Sequence, residues 1–243
     1  MPQMPAADTP LVLYALGLKR TLSNRKSLAG RLGLFEQPVD LVYTDLLAAV
    51  VSPVSDTNRL KEASVETLLL YKDVVESAFV SGTVLPMQFG TCVPSAAALM
   101  NALQDQGKRY REQLHALEGC AEMGLRMRLV PADTAPDDAE APDGRAPAER
   151  PGTSYLLRRQ RERSGLSAST HRIVGDVRSA LDAFTVATSI PKRVAGKAHS
   201  VVSIAFLIQR AHAQSFRQEA LRLSVPGLNG LDVVGPWPPY SFV

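Results

Sequence analysis

The sequence predicts a two-domain α+β protein, and three observations carry that prediction. Short apolar runs of strand length alternate with amphipathic helical stripes across residues 1–119, in the order β-β-β-α-β-α. A stretch rich in proline, alanine and acidic residues, 131–153, then interrupts the pattern. The remainder reads β-α-β-α-β, close to the ferredoxin-like arrangement. The expected domains are 1–119 and 120–243, with 131–153 as a flexible insertion in the second. At 243 residues the chain has the length for two domains of roughly 100 residues each. A hydrophobic content of 45% supplies cores for both and argues against a disordered chain.

In order, Leu11-Val12-Leu13-Tyr14-Ala15-Leu16 is an apolar run of strand length, closed by Gly17. Residues 19–37 lack a clear period and read as loop with a helical turn. Val39 to Thr44 alternates as a second strand, and Leu46 to Ser52 is a third, stopped by Pro53. Thr44-Asp45 between them favours a tight hairpin. Asp56 or Thr57 is placed to cap a helix whose stripe is Leu60, Ser64, Leu68, Tyr71, Val75 and Ala78.

Gly82 to Thr91 organises the first domain. No Asp, Glu, Lys or Arg occurs from Ser77 to Gln104, yet Gly82, Pro86, Gly90 and Pro94 exclude a lipid-exposed helix there. Val84 to Phe89 reads as a short buried strand, and Pro86, having no N–H, implies an edge position, a bulge or an unpaired site in the ladder. Pro94-Ser95 opens a helix with the stripe Leu99, Leu103, Gln106, Tyr110, Leu114 and Leu117, which Gly119 closes.

The second domain begins with Glu122 to Val130. Met123, Leu125, Met127 and Leu129 alternate there with Gly124, Arg126 and Arg128, the pattern of a half-buried strand. The insertion has no aromatic or large aliphatic residue with which to order itself. A helical stripe runs Ile173, Val177, Leu181, Phe184 and Thr188, ended by Pro191 and Gly196. Val201 to Ile208 is apolar almost throughout and reads as a central strand. Phe216, Ala220 and Leu223 mark a short helix, and Leu231 to Val234 the last strand.

Little in the chain carries catalytic chemistry. The net charge of +3 is too weak to indicate a nucleic-acid partner, and Cys92 and Cys120 lack metal-ligand spacing. His115, His171, His199 and His212 are scattered, as structural or surface histidines are. Ser23-Asn24-Arg25-Lys26 matches Ser-x-x-Lys without its companion motifs. No phosphate-binding glycine loop is present, so no cofactor, no metal and no enzyme activity are expected. Met1 to Pro5 carries no secretory signal, and a cytoplasmic location without membrane association is expected. Arg158, Arg159, Arg161 and Arg163 form either a solvated helix face or a surface for an anionic partner. An RNA-binding role for the second domain is the alternative, although Val201 to Ile208 offers only Phe206 for stacking.

The end of the chain is more specific. Gly235-Pro236-Trp237-Pro238-Pro239-Tyr240-Ser241-Phe242-Val243 sets the sole tryptophan and two further aromatics among three prolines. The prolines fix an extended path, so the aromatics either plug a core or present a docking motif. Together with Ala48 to Val54, Gly82 to Thr91, Glu122 to Arg126 and Tyr155 to Arg158, this tail resembles the gas vesicle protein F/L family. The resemblance spans almost the whole chain and leaves the F and L branches open. It implies an accessory protein that assists assembly of the gas vesicle wall by binding the shell protein and other vesicle proteins. A place as a minor wall component is also implied. The motif residues it marks as structural or partner-binding are Pro86, Met87, Phe89, Gly90, Thr91, Arg158, Arg159, Trp237, Pro239, Tyr240 and Phe242. Gln88 stands where members commonly carry arginine. Oligomeric state is not legible.

Overall fold

The structure, a computed structural model, describes residues 9–23, 27–62, 64–129, 168–190 and 201–243. The insertion 131–153, Arg158, Arg159, Lys26 and His199 lie outside the described residues. The chain forms a mixed α+β protein with two antiparallel sheets. It divides into two compact units, Met1–Glu122 with Pro236–Val243, and Met123–Gly235. The C-terminal motif from Pro236 onward therefore belongs to the first unit, whereas the sequence pattern assigned it to the second.

In the first unit, β1 (Leu11–Leu18) is buried along nearly its whole length and lies at the centre of the sheet. β3 (Leu47–Pro53) pairs with it antiparallel, and β2 (Asp40–Tyr43) pairs with β3 as a hairpin. Thr44 closes that hairpin: its N–H donates to Leu47 O at 2.9 Å, and Leu47 N–H donates to its hydroxyl at 3.0 Å. Both Asp and Thr at this corner favour such local bonds. The other edge of β1 is shared by two short strands, β4 (Val84–Pro86) and β5 (Cys92–Val93). The single strand expected over Val84 to Phe89 is thus cut at Pro86. The chain leaves the sheet there, forms the loop 87–91, and returns.

Helix α1 (Lys19–Leu22) is one turn, and Leu22 packs so close to Gly17 that a Cβ there would fall 2.7 Å from its side chain. Asp56 caps only a 3-10 turn, Thr57–Lys61; the long helix α2 (Val65–Ser81) is capped by Ser64, whose hydroxyl accepts from Thr67 N–H. Tyr71, Val74, Val75, Ala78 and Phe79 form its buried face. Leu68, expected in the core, is 43% exposed instead. The next helical stripe is two helices, α3 (Ala96–Asp105) and α4 (Gly107–Ala116), broken at Gln106 and both burying leucines. Gly119 then turns the chain at φ 73°.

Among the described residues the second unit is a β-α-β-β-α-β sandwich of one sheet and two helices. Its elements are β6 (Cys120–Leu129, whose first residues belong to the first unit), α5 (Ala168–Ala180), β7 (Thr185–Ser189), β8 (Val201–Gln209), α6 (Ala213–Arg222) and β9 (Leu228–Trp237, whose last two residues belong to the first unit). The strand order β7-β8-β6-β9 is ferredoxin-like. One strand more is present than the sequence pattern predicts: the helix ends at Ala180, and Thr185 to Ser189 is the edge strand. Met123, Leu125, Met127 and Leu129 meet Val202, Ile204, Phe206 and Ile208 in one core layer with α5 and α6. Phe206 is fully buried against Phe216, ring centroids 5.3 Å apart, so the aromatic that RNA would stack on is not presented.

Candidate functional site

The first unit brings the organising loop and the C-terminal motif onto one helix, α2. The loop begins where Pro86, buried and opposite Ala15, ends β4. Met87 N–H donates to Tyr14 O at 2.9 Å, and Thr91 O accepts from Leu13 N–H at 2.9 Å. Between these anchors Gly90 sits at φ +86°, a conformation that side chains disfavour. Thr91 closes the turn, its N–H and its hydroxyl both donating to Gln88 O, at 3.0 and 2.7 Å. Gln88 itself is exposed.

Tyr71 fills the mouth of this loop from α2. Its hydroxyl lies 2.9 Å from Met87 O, 3.1 Å from Leu13 O, 3.2 Å from Tyr14 O and 3.3 Å from Gln88 O. One phenolic proton faces four carbonyl oxygens, so the group is held as a donor. Burial raises its pKa, and the neighbouring Tyr14 and Tyr240 push in the same direction. Phe89 packs edge-on to the Tyr71 ring at 5.3 Å, and Tyr14 packs at 5.0 Å on a tilt. The Tyr14 hydroxyl in turn is hydrogen-bonded to Ser52 at 2.7 Å and accepts from Leu34 N–H at 2.8 Å.

The tail reaches the same core. Pro238 and Pro239 are buried, Trp237 and Phe242 are half-buried, and Tyr240 packs against the hydrophobic cluster that also takes Phe89. Of the three aromatics expected to plug a core, only Tyr240 joins that cluster. The decisive anchor is one the sequence reading missed. Glu122 is 6% exposed, and both of its carboxylate oxygens accept from Ser241, from the N–H at 2.7 Å and from the hydroxyl at 2.9 Å. Burial raises the Glu122 pKa, and these two bonds oppose the shift. The Tyr240 hydroxyl is buried with no hydrogen-bond partner among the described residues, and its pKa is raised by burial and then by Glu76 and Glu122. An acidic residue inside the apolar run Cys120-Ala121-Glu122-Met123 was the signal available in the sequence.

The outward side of α2 is unusual. Val65, Leu68, Leu69 and Leu70 are 75%, 43%, 58% and 40% exposed, and an open hollow is lined by Val65, Glu66, Leu69, Leu70 and Asp73. A helix can turn only one face to a core, and Leu68-Leu69-Leu70 spans more than one face. Isolated exposed apolar residues are ordinary, whereas a contiguous set marks a contact surface.

Other sequence candidates stay apart. Ser23 donates its hydroxyl to Lys19 O at 2.6 Å, a local helix-end bond. Burial raises the pKa of the Cys92 and Cys120 thiols, which keeps them protonated. No group of three or more His, Cys, Asp or Glu among the described residues is placed to hold a metal ion. No described helix is long and apolar enough to cross a membrane.

Fold and site together define an α+β protein of two units whose aromatic C-terminal tail is built back into the first. The chain belongs to the gas vesicle synthesis protein GvpL/GvpF family, which matches residues 11–243. It is 28% identical over 247 residues to gas vesicle protein F of Streptomyces sp. (strain CB03234), across 95% of this chain and 98% of that one. Gas vesicle protein L of the same strain is 30% identical over 179 residues, 70% of this chain and 66% of that protein. Two solved structures share the fold: GvpF from Anabaena sp. PCC7120, with TM-score 0.72 at 18% identity over 96% of this chain and 95% of that one, and GvpF from Microcystis aeruginosa, with TM-score 0.66 at 16% identity over 96% and 98%.

Proposed function

We propose that this gas vesicle protein assists assembly of the vesicle wall by binding the apolar shell protein, and that the outward face of α2 is the contact. Its role is binding, with no catalytic step and no cofactor, and its place is at the gas vesicle with other vesicle proteins as further partners. The observation that carries the reading is the run of exposed apolar side chains Val65, Leu68, Leu69 and Leu70 on a helix whose other face is anchored in the core. Covering each of these side chains contributes about 1 kcal/mol, given that each is only partly exposed. A shell subunit awaiting incorporation needs such cover, because its own apolar surface otherwise aggregates.

The test is co-purification of the full chain with the shell protein, comparing wild type with Leu69→Glu and Val65→Glu. Exposed positions tolerate such changes within about 0.5 kcal/mol, so the variants should melt like the wild type. Loss of the shell protein from the purified material is the expected result. Undiminished capture by both variants would remove α2 as the contact. Capture that disappears on nuclease treatment would point to nucleic acid instead.

A further inference from the structure

In the second unit β7 is the outermost strand. It pairs with β8 on one side, and among the described residues no strand pairs with its other edge. An open edge presents unsatisfied N–H and C=O groups, and proteins usually guard one with lysine, proline or a short bulged strand. Thr185-Val186-Ala187-Thr188-Ser189 has no charge and no proline, and its one irregularity is a register shift between Thr185 and Ala187. Beside this edge an open groove of about 530 Å³ runs between the strand and α5. Gly175 and Ser179 keep its helical wall low, which lets another backbone come close. Arg178 and Asp182 also line it; both are exposed, and neither makes an ion pair among the described residues.

We propose that this edge is where a second copy of the chain docks, β7 against β7, so that two four-stranded sheets join into one. Identical strands related by a two-fold axis meet antiparallel, the pairing that needs no crossover. The charges fit that occupant. Arg178 and Asp182 lie four residues apart along one wall, so the two-fold sets Arg178 of each copy toward Asp182 of the other and satisfies both twice over. A foreign peptide would have to bring its own matched pair. A five-residue strand and one groove wall make a contact at the small end of specific interfaces, so the dimer is a weak one that forms with concentration.

Sedimentation velocity of the full chain, from micromolar to near-millimolar concentration, reads this directly. A monomer–dimer equilibrium is expected. Val186→Lys places a charge on the edge at a position already 53% exposed, and should weaken association about tenfold or more. Arg178→Asp should do the same by setting like charges together, and adding Asp182→Arg should restore the wild-type equilibrium. Hydrogen exchange on the wild type needs no variant to fold: amides within Thr185 to Ser189 should gain protection as concentration rises. A chain that stays monomeric throughout, or a dimer indifferent to both the edge lysine and the charge reversal, overturns the proposal.

Discussion

Tyr71→Phe deletes one oxygen and nothing else, which makes it the sharpest probe of the first unit. Of the four carbonyls around the Tyr71 hydroxyl, Tyr14 O already receives the Met87 N–H, and Gln88 O receives both donors of Thr91. Met87 O is the nearest, at 2.9 Å, and no other described donor reaches it. The substitution therefore strips the loop of the bond that ties its first carbonyl to α2. Leaving such a carbonyl unsatisfied costs about 1–3 kcal/mol. The ring stays, packed between Tyr14 and Phe89, so no cavity is added. For a unit of this size that loss lowers Tm by roughly 4–10 °C. Far-UV circular dichroism and Trp237 fluorescence follow the melt, the latter from within the unit concerned. Tyr240→Phe is the matched control, since its buried hydroxyl has no partner among the described residues, and it should be neutral or slightly stabilising. Equal melting of Tyr71→Phe and wild type would refute the reasoning, because it would show the loop held by packing alone.

Much of this architecture was legible because short-range rules decide it. β1, β2, β3, β6 and β8 follow from apolar runs and period-two alternation, and Ser95 caps the start of α3 as residues of its type do; the expected cap Gly119 instead turns the chain two residues beyond Leu117, where α4 is capped. What stayed hidden is tertiary. The stripe from Ile173 to Thr188 keeps helical spacing, yet Thr185, Val186 and Thr188 are β-branched and β8 offers them an edge, so pairing outweighs the pattern. Leu68 keeps the stripe of α2 but lies beyond the part of the helix that the sheet covers. The tail is the clearest case. Its prolines and aromatics announced a docked segment, but nothing local says against which unit. That choice is made by Glu122, 119 residues earlier, which could not be read as its anchor from spacing of any kind. Pro86 was legible as an irregularity in its strand but not as the strand's end, and the return strand Cys92–Val93 was not legible, since two residues carry no period.

Three further outcomes test the same frame. Gly33→Ala would place a Cβ 2.3 Å from the Tyr14 hydroxyl and displace it from Ser52 and Leu34, a loss of about 1–3 kcal/mol that the same melts would show. Glu122 has a raised folded-state pKa, so the folded chain holds its proton more readily than the unfolded one. Its contribution is then complete below the unfolded pKa and lost as pH rises through the folded one, so wild type should gain Tm relative to Glu122→Gln as neutral solutions are acidified. A difference independent of pH would mean the carboxyl is better solvated than its burial indicates. Ending the chain at Pro239 removes Tyr240 from the core and takes Ser241 from Glu122, while keeping Trp237 as reporter. The lost burial is about 1.5–3 kcal/mol, and the orphaned carboxylate adds a further 1–3 or so. If the second part is real, Glu122→Met in the shortened chain should recover part of the loss, whereas in the full chain it should destabilise by stranding Ser241. A shortened chain that melts like wild type, or one that Glu122→Met does nothing to rescue, would mean the tail rests on the first unit without holding it together.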